Sequence, residues 1–373
     1  MMILLSENQN REACIMKEKT KKKGKKKVWI IIVLLVAALL AAVASQGYNI
    51  YMGTITFGRS TVETTAPGEY TNEGTTFTLY GKLNSPTSKK GTIERVDYTT
   101  DVYEDGVTYS KYCNVYLPYG YDPNDTQTKY NVLYFQHGNT ADPEIFTASR
   151  TKNWLDNLFA SGDVEPTILV FTTFYMDVTK DVAERQRSGN VPAGDNGWDG
   201  KPGNFPREYI EDIIPAVESR YHTYTERFDE EGLKASRSHR GMSGYSRGGM
   251  FTWRMFHEYL EYFEWWSPMS AGNTAGGGMG MGANEAAAYL YLKEAIDANP
   301  NLDFFIYVAS GGEADGVGQS LRAQIPYLEN QPEFSYGTDP TVNNLCYTVG
   351  PGFKHSDLYV PYYYYNTLQV LFH

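Results

Sequence analysis

Residues 244 to 248, Gly-Tyr-Ser-Arg-Gly, constrain the chain more than any other stretch. They fit G-x-S-x-G, in which a serine sits on a sharp turn between a strand and a helix with its hydroxyl exposed. Side chains two residues to either side would collide with neighbouring backbone, so glycine is required there. The flanks supply the other two parts. His239-Arg240-Gly241-Met242-Ser243 reads as a short strand entering the turn. Met250, Trp253, Phe256, Leu260 and Phe263 recur at spacings of three and four, which predicts a helix with one apolar face. The N-terminus of that helix brings partial positive charge and N–H groups to Ser246, an environment suited to a developing oxyanion.

The rest of the chain predicts the sheet that would carry such a turn. Residues 91–100 and 111–122 alternate apolar and polar positions, as edge strands do, and Pro118 and Pro123 end the second. Short apolar runs at 132–135, 168–171, 265–269, 304–308 and 345–349 read as buried strands. Helical periodicity separates them: around Trp154 to Phe159, from Arg207 with a kink at Pro215, at 284–297, at Leu321 to Leu328, and at Leu358 to Leu368. Alternating strands and helices imply an α/β fold, a mostly parallel central sheet with helices on both faces. The catalytic domain is expected over 93–373.

Ahead of it, residues 1–27 form a basic leader and residues 28–45 an apolar run. A basic flank before a segment of nearly membrane-spanning length reads as a transmembrane signal anchor or a cleaved signal peptide, with everything after residue 45 exported. Ala42-Val43-Ala44 fits a small-residue cleavage site, so both forms stay open. Residues 46–92, rich in Thr, Gly and Ser, read as a spacer. The leader holds nine Lys/Arg and three Asp/Glu, so the remainder carries 24 basic and 41 acidic residues, a net charge of −17. That balance excludes nucleic acid and other polyanions as partners. Cys113 and Cys346 are open to a disulfide or to two buried free thiols. No Cys/His spacing resembles a metal site, and no metal or cofactor is expected.

A serine needs a base, and on an elbow of this kind the chain order is nucleophile, acid, histidine. His137, His222, His239 and His257 come too early, and His373 is the chain end. His355, between the last strand and the last helix, is the expected base. Asp315, after the strand at 304–308, is the expected acid, with Glu313 as the alternative; Asp303 is at the wrong end of that strand. The oxyanion donors are expected to be the backbone N–H groups of Arg247 and Asn139, while His137 ties down the loop that carries Asn139.

Residues 91 to 372 resemble the esterase D-like branch of the α/β-hydrolases, carbohydrate esterase family one in particular, the feruloyl and acetylxylan esterases. The segments VYLPYGYD, VLYFQHG, NWLDNLFASGDVEPTILV, FPREYIEDIIPAVESRY, HRGMSGYSRGGM and GFKHSDLYVPYYYYNTLQVLF carry the resemblance in the family's order. It implies a serine on Ser246, a histidine on His355 and an acid on Asp315. It further implies an esterase acting on feruloyl or acetyl esters of a plant polysaccharide, which the leader would export. Two alternatives stand beside it: a cell-envelope acyltransferase with the same triad, like the mycolyltransferases, and a non-catalytic binding protein on the same scaffold. Substrate selectivity is expected in the loops at 178–204 and 271–283, which match no known pattern.

Overall fold

The computed structural model describes residues 68–72, 75–139, 141–145, 149–179, 204–275 and 284–373. The basic leader, the apolar run at 28–45 and the first part of the expected spacer lie outside the described residues. So does most of each expected selectivity loop. Among the described residues no helix is long and apolar enough to cross a membrane.

A hairpin of β1 (Gly68–Asn72) and β2 (Thr75–Leu79) comes first. Then follow β3 (Thr92–Thr100), β4 (Tyr109–Leu117), β5 (Asn131–Gln136), helix α1 (Ser149–Ala160) and β6 (Thr167–Thr172). Helix α2 (Phe205–Glu208) runs through a π-turn, Tyr209–Ile213, into α3 (Ile214–Glu218). Helix α4 (Glu230–Ala235), β7 (Arg240–Tyr245), α5 (Arg247–Tyr259), β8 (Trp265–Met269), α6 (Glu285–Ala298), β9 (Phe305–Ser310), α7 (Leu321–Glu329), β10 (Leu345–Val349) and α8 (Val360–Thr367) complete the order.

Strands β3 to β10 form one sheet in the order β3-β4-β6-β5-β7-β8-β9-β10. The six strands from β6 to β10 run parallel, and β3 and β4 are antiparallel additions at one edge. Period-two geometry divides each central strand between two cores. Val132, Tyr134, Ile168 and Val170 join Ile213, Met255 and Ile325 on one face. Leu133, Phe135, Leu169 and Phe171 join Trp154, Leu158, Val360 and Tyr364 on the other. Burial on both faces is why these strands read as uninterrupted apolar runs.

Three expectations change. Strand β4 is not an edge strand: it lies between β3 and β6, and its residues from Lys111 onward are buried. The polar positions that suggested a solvated face have buried partners. Lys111 Nζ lies 2.7 Å from Glu208, which also accepts from the hydroxyls of Tyr98 and Tyr103, and Asn114 donates to the Pro143 carbonyl. The disruption expected at Pro215 falls just before it, in the π-turn; Ile214 N–H bonds to Tyr209 O, and Pro215 sits in the first turn of α3, where its missing N–H is harmless. Residues 75–92, expected as spacer, pack into the domain. Phe77, Leu79 and Leu83 are buried, and Thr78 exchanges two hydrogen bonds with the Asn366 side chain.

Cys113 and Cys346 sit in β4 and β10, six strand steps apart. At about 4.8 Å per step that is about 29 Å, whereas a disulfide needs Cα atoms within about 7 Å. Both thiols are buried and free, and burial pushes each up to about 12. Unfolding under non-reducing conditions is therefore expected to expose both Cys113 and Cys346 to an alkylating reagent that leaves them unmodified in the native protein. A Cys113–Cys346 peptide linked by disulfide in the mass spectrum would refute this.

Candidate active site

Parallel strands deliver their C-terminal ends to one rim of the sheet, and loops at that rim collect the functional groups of such folds. Here β5 ends at His137-Gly138-Asn139, β7 at Ser246, β8 at Ser270, β9 before Asp315 and β10 before His355. The lower end of β7 is fixed by a buried ion pair between Arg240 and Glu218 at 2.7 Å.

Ser246 has φ 58° and ψ −117°, a conformation that side chains rarely adopt. The glycines around it are sterically forced. A Cβ on Gly244 would stand 2.2 Å from the Gly248 carbonyl oxygen, and a Cβ on Gly248 would stand 1.9 Å from the Gln136 carbonyl oxygen. The strain is held from two sides. Ser246 N–H donates to Met269 O at 2.9 Å, and Ser246 O accepts from Met250 N–H at 3.0 Å as α5 begins.

Three of the expected residues form one hydrogen-bonded chain. The Ser246 hydroxyl donates to His355 Nε2 at 2.8 Å, and His355 Nδ1–H donates to Asp315 Oδ1 at 2.8 Å. These roles follow from the partners: a carboxylate only accepts, which assigns the imidazole proton to Nδ1 and leaves Nε2 to accept. The histidine side chain is 27% exposed and the acid 0%, so an incoming molecule can reach the base but not its acid. Burial by itself would raise the Asp315 carboxyl. The hydrogen bond and charge of His355, with the nearby Ser270 hydroxyl and the Gly318 N–H, outweigh it and hold the carboxyl below its usual value. The alternative acid, Glu313, falls in the turn Gly312–Ala314 that precedes Asp315.

The two expected oxyanion residues flank the serine. Arg247 opens α5, and Asn139 follows Gly138, where an added Cβ would stand 3.3 Å from Ser246 Cβ. Their side chains also meet: Arg247 Nη1 donates to Asn139 Oδ1 at 3.0 Å, and the guanidinium lies 4.5 Å from the centre of the Phe174 ring. His137 has the structural part expected of it. Its Nδ1–H donates to Gly138 O, and its Nε2 accepts from the Thr173 hydroxyl, both at 2.8 Å. The other histidines stand elsewhere; His239 stacks on Tyr224 and His257 on Tyr291.

Sequence reasoning missed several supports. Tyr245 stacks on the His355 ring with centroids 5.0 Å apart, and its place as the first variable residue of the elbow was the available signal. Tyr175 OH donates to Ala141 O at 2.6 Å and braces the loop after β5. Met269 and Ser270 carried no signal at all. Among the described residues no group of His, Cys, Asp and Glu is arranged to hold a metal ion.

Comparison with known proteins points the same way. Residues 110–332 match the family model described as putative esterase. Endo-1,4-beta-xylanase Y of Acetivibrio thermocellus is 32% identical over 293 residues, 78% of this chain and 24% of that protein. An endo-1,4-beta-xylanase/feruloyl esterase of Xylanibacter ruminicola is 28% identical over 218 residues, 56% of this chain and 24% of that one. The chain thus spans about a quarter of the length of these relatives. The solved feruloyl esterase module from Clostridium thermocellum, a serine-to-alanine variant complexed with sinapinate, is 29% identical with a TM-score of 0.65. That alignment covers 83% of this chain and 96% of the module.

Proposed function

Because this chain belongs to the putative esterase family of α/β-hydrolases, we propose that it is a serine esterase that cleaves acyl esters, feruloyl or acetyl, on plant cell-wall polysaccharide. The observation that carries the proposal is the chain Ser246–His355–Asp315 with two 2.8 Å hydrogen bonds, set on a strained elbow at the sheet rim.

Ser246 Oγ attacks the ester carbonyl as His355 Nε2 takes its proton. The negative charge that develops on the carbonyl oxygen is received by the backbone N–H groups of Arg247 and Asn139 and by the N-terminus of α5. Asp315 holds the imidazole in the Nδ1–H tautomer and stabilises the imidazolium. His355 then gives the proton to the departing sugar oxygen, leaving an acyl group on Ser246. Water, activated by the same imidazole, releases the free acid. The substrate class is drawn from the relatives: one is a xylanase, a second joins xylanase and feruloyl esterase in its name, and the solved module is a feruloyl esterase. Export is a further part of the proposal and is supported by the apolar run at 28–45 behind its basic flank.

Rates on methyl ferulate, acetylated xylan and p-nitrophenyl acetate test it. We expect free ferulate from methyl ferulate with kcat/KM of at least roughly 10^4 M−1 s−1. Turnover of p-nitrophenyl acetate alone would reject the substrate class. An acylated sugar forming in place of free acid when a sugar acceptor is added would make the chain a transferase. Failure of a fluorophosphonate to label Ser246 in the native protein would reject enzymatic activity altogether.

A further inference from the structure

The two oxygens of Asp315 are unequally served. Oδ1 accepts from His355 at 2.8 Å, Gly318 N–H at 3.0 Å and Val317 N–H at 3.3 Å. Oδ2 receives the Gly311 N–H at a long 3.5 Å. The side chain is 0% exposed, and a buried carboxylate oxygen is costly unless donors reach it. Two buried hydroxyls stand in its neighbourhood, those of Ser270 and Tyr363. In this arrangement neither makes an aligned hydrogen bond among the described residues.

Ser270 is also held in an unfavourable backbone conformation. Its φ is 54°, a left-handed value shared among the described non-glycine residues by Ser246 and Phe372. Such geometry persists where the surroundings over-determine it. Met269 O receives the Ser246 N–H at 2.9 Å, and Ser270 N–H donates to Ala309 O on β9 at 2.8 Å. The dipeptide that ends β8 therefore touches the nucleophile on one side and the strand of the acid on the other.

We propose that Ser270 is a positioning residue for the acid: its hydroxyl donates to Asp315 Oδ2 and accepts from the Tyr363 hydroxyl, fixing the carboxylate plane toward His355. Turning the hydroxyl protons alone does not align these oxygens, so the chain closes by a small shift of the Ser270 side chain, after which each hydroxyl proton rotates to suit its acceptor. It serves the oxygen that the backbone leaves nearly unserved. The proposal rests on the triad reading given above.

The test uses the full chain with methyl ferulate as substrate. A hydrogen bond to a charged group is strong enough that its loss is expected to lower kcat of Ser270→Ala at least about tenfold. KM should stay within about twofold, because Ser270 is fully buried and touches no substrate. The far-downfield proton resonance of the His355–Asp315 hydrogen bond should broaden in the same variant. Tyr363→Phe should move both readouts in the same direction by less, and it carries the test alone if Ser270→Ala fails to fold. Ser270→Gly separates hydroxyl from backbone, since glycine adopts a φ of this sign without strain; it should be as slow as Ser270→Ala. Wild-type kcat and an unchanged resonance in Ser270→Ala, or recovery of kcat in Ser270→Gly, would overturn the proposal. Full activity in Asp315→Asn would overturn the triad and this proposal with it. Loss in Asp315→Asn with none in Ser270→Ala would overturn this proposal alone.

Discussion

Replacing Ser246 by alanine is expected to lower kcat by roughly 10^6-fold while leaving the fold and the melting temperature nearly unchanged. The loss is large because the reaction runs through a bond to Oγ, and among the described residues no other hydroxyl lies on His355 Nε2. The fold should survive because what holds the elbow is backbone. The Ser246 N–H to Met269 O bond, the Met250 N–H to Ser246 O bond and the packing of Gly244 against Gly248 involve no atom of the serine side chain. Alanine at φ 58° bears the same steric penalty as serine, so the strain cancels in the comparison. Fluorophosphonate labelling should vanish together with turnover. Labelling that persists in Ser246→Ala, or turnover within a hundredfold of wild type, would remove Ser246 from the mechanism.

The elbow was legible because its chemistry demands residue types at fixed offsets. Gly244 and Gly248 each lie less than 2.5 Å from a carbonyl oxygen once a Cβ is added, so no other residue fits. His355 was legible by elimination along the chain. Its neighbour was not: Glu313 and Asp315 lie in one short turn, and what separates them is a set of N–H groups from Val317, Gly318 and His355 that no local pattern encodes.

The parallel centre of the sheet was read well because strands buried on both faces leave continuous apolar runs. Its margins were not. In β4, Lys111 and Asn114 imitate a solvated face while being buried against Glu208 and Pro143. In the hairpin, threonines surround Phe77 and hide its partners, Phe353 and Tyr363, almost three hundred residues away. Phe353 stands two residues before the candidate base, and its carbonyl oxygen would meet a Cβ on Gly311 at 1.7 Å. A segment read as spacer thus supports the loop that presents His355. Composition carries no trace of such long-range packing, since Phe77 alone among polar residues has no periodicity to report.

Changing Asp315 to asparagine is expected to cost between 10^3- and 10^4-fold in kcat, against less than about twofold for Glu313→Gln. The amide is isosteric with the acid, and its oxygen can take the place of Oδ1, keeping the bonds from His355 Nδ1–H and Gly318 N–H. What it cannot supply is the charge. The imidazolium formed when Ser246 loses its proton then faces a neutral group on its buried side, where electrostatic interactions are least screened. The NH2 group, placed at Oδ2, also turns a donor toward the Gly311 N–H. The pH dependence has a definite sign. The Asp315 carboxyl is held below its ordinary value in the folded protein, so its ionised form contributes stability above the unfolded-state pKa, and that share is lost as pH falls through the folded value. The stability difference between wild type and Asp315→Asn should therefore narrow in acid, measured as melting temperature against pH. If Glu313→Gln instead brings the thousandfold loss, the acid is Glu313, and the 2.8 Å bond between His355 and Asp315 is not the one the reaction uses.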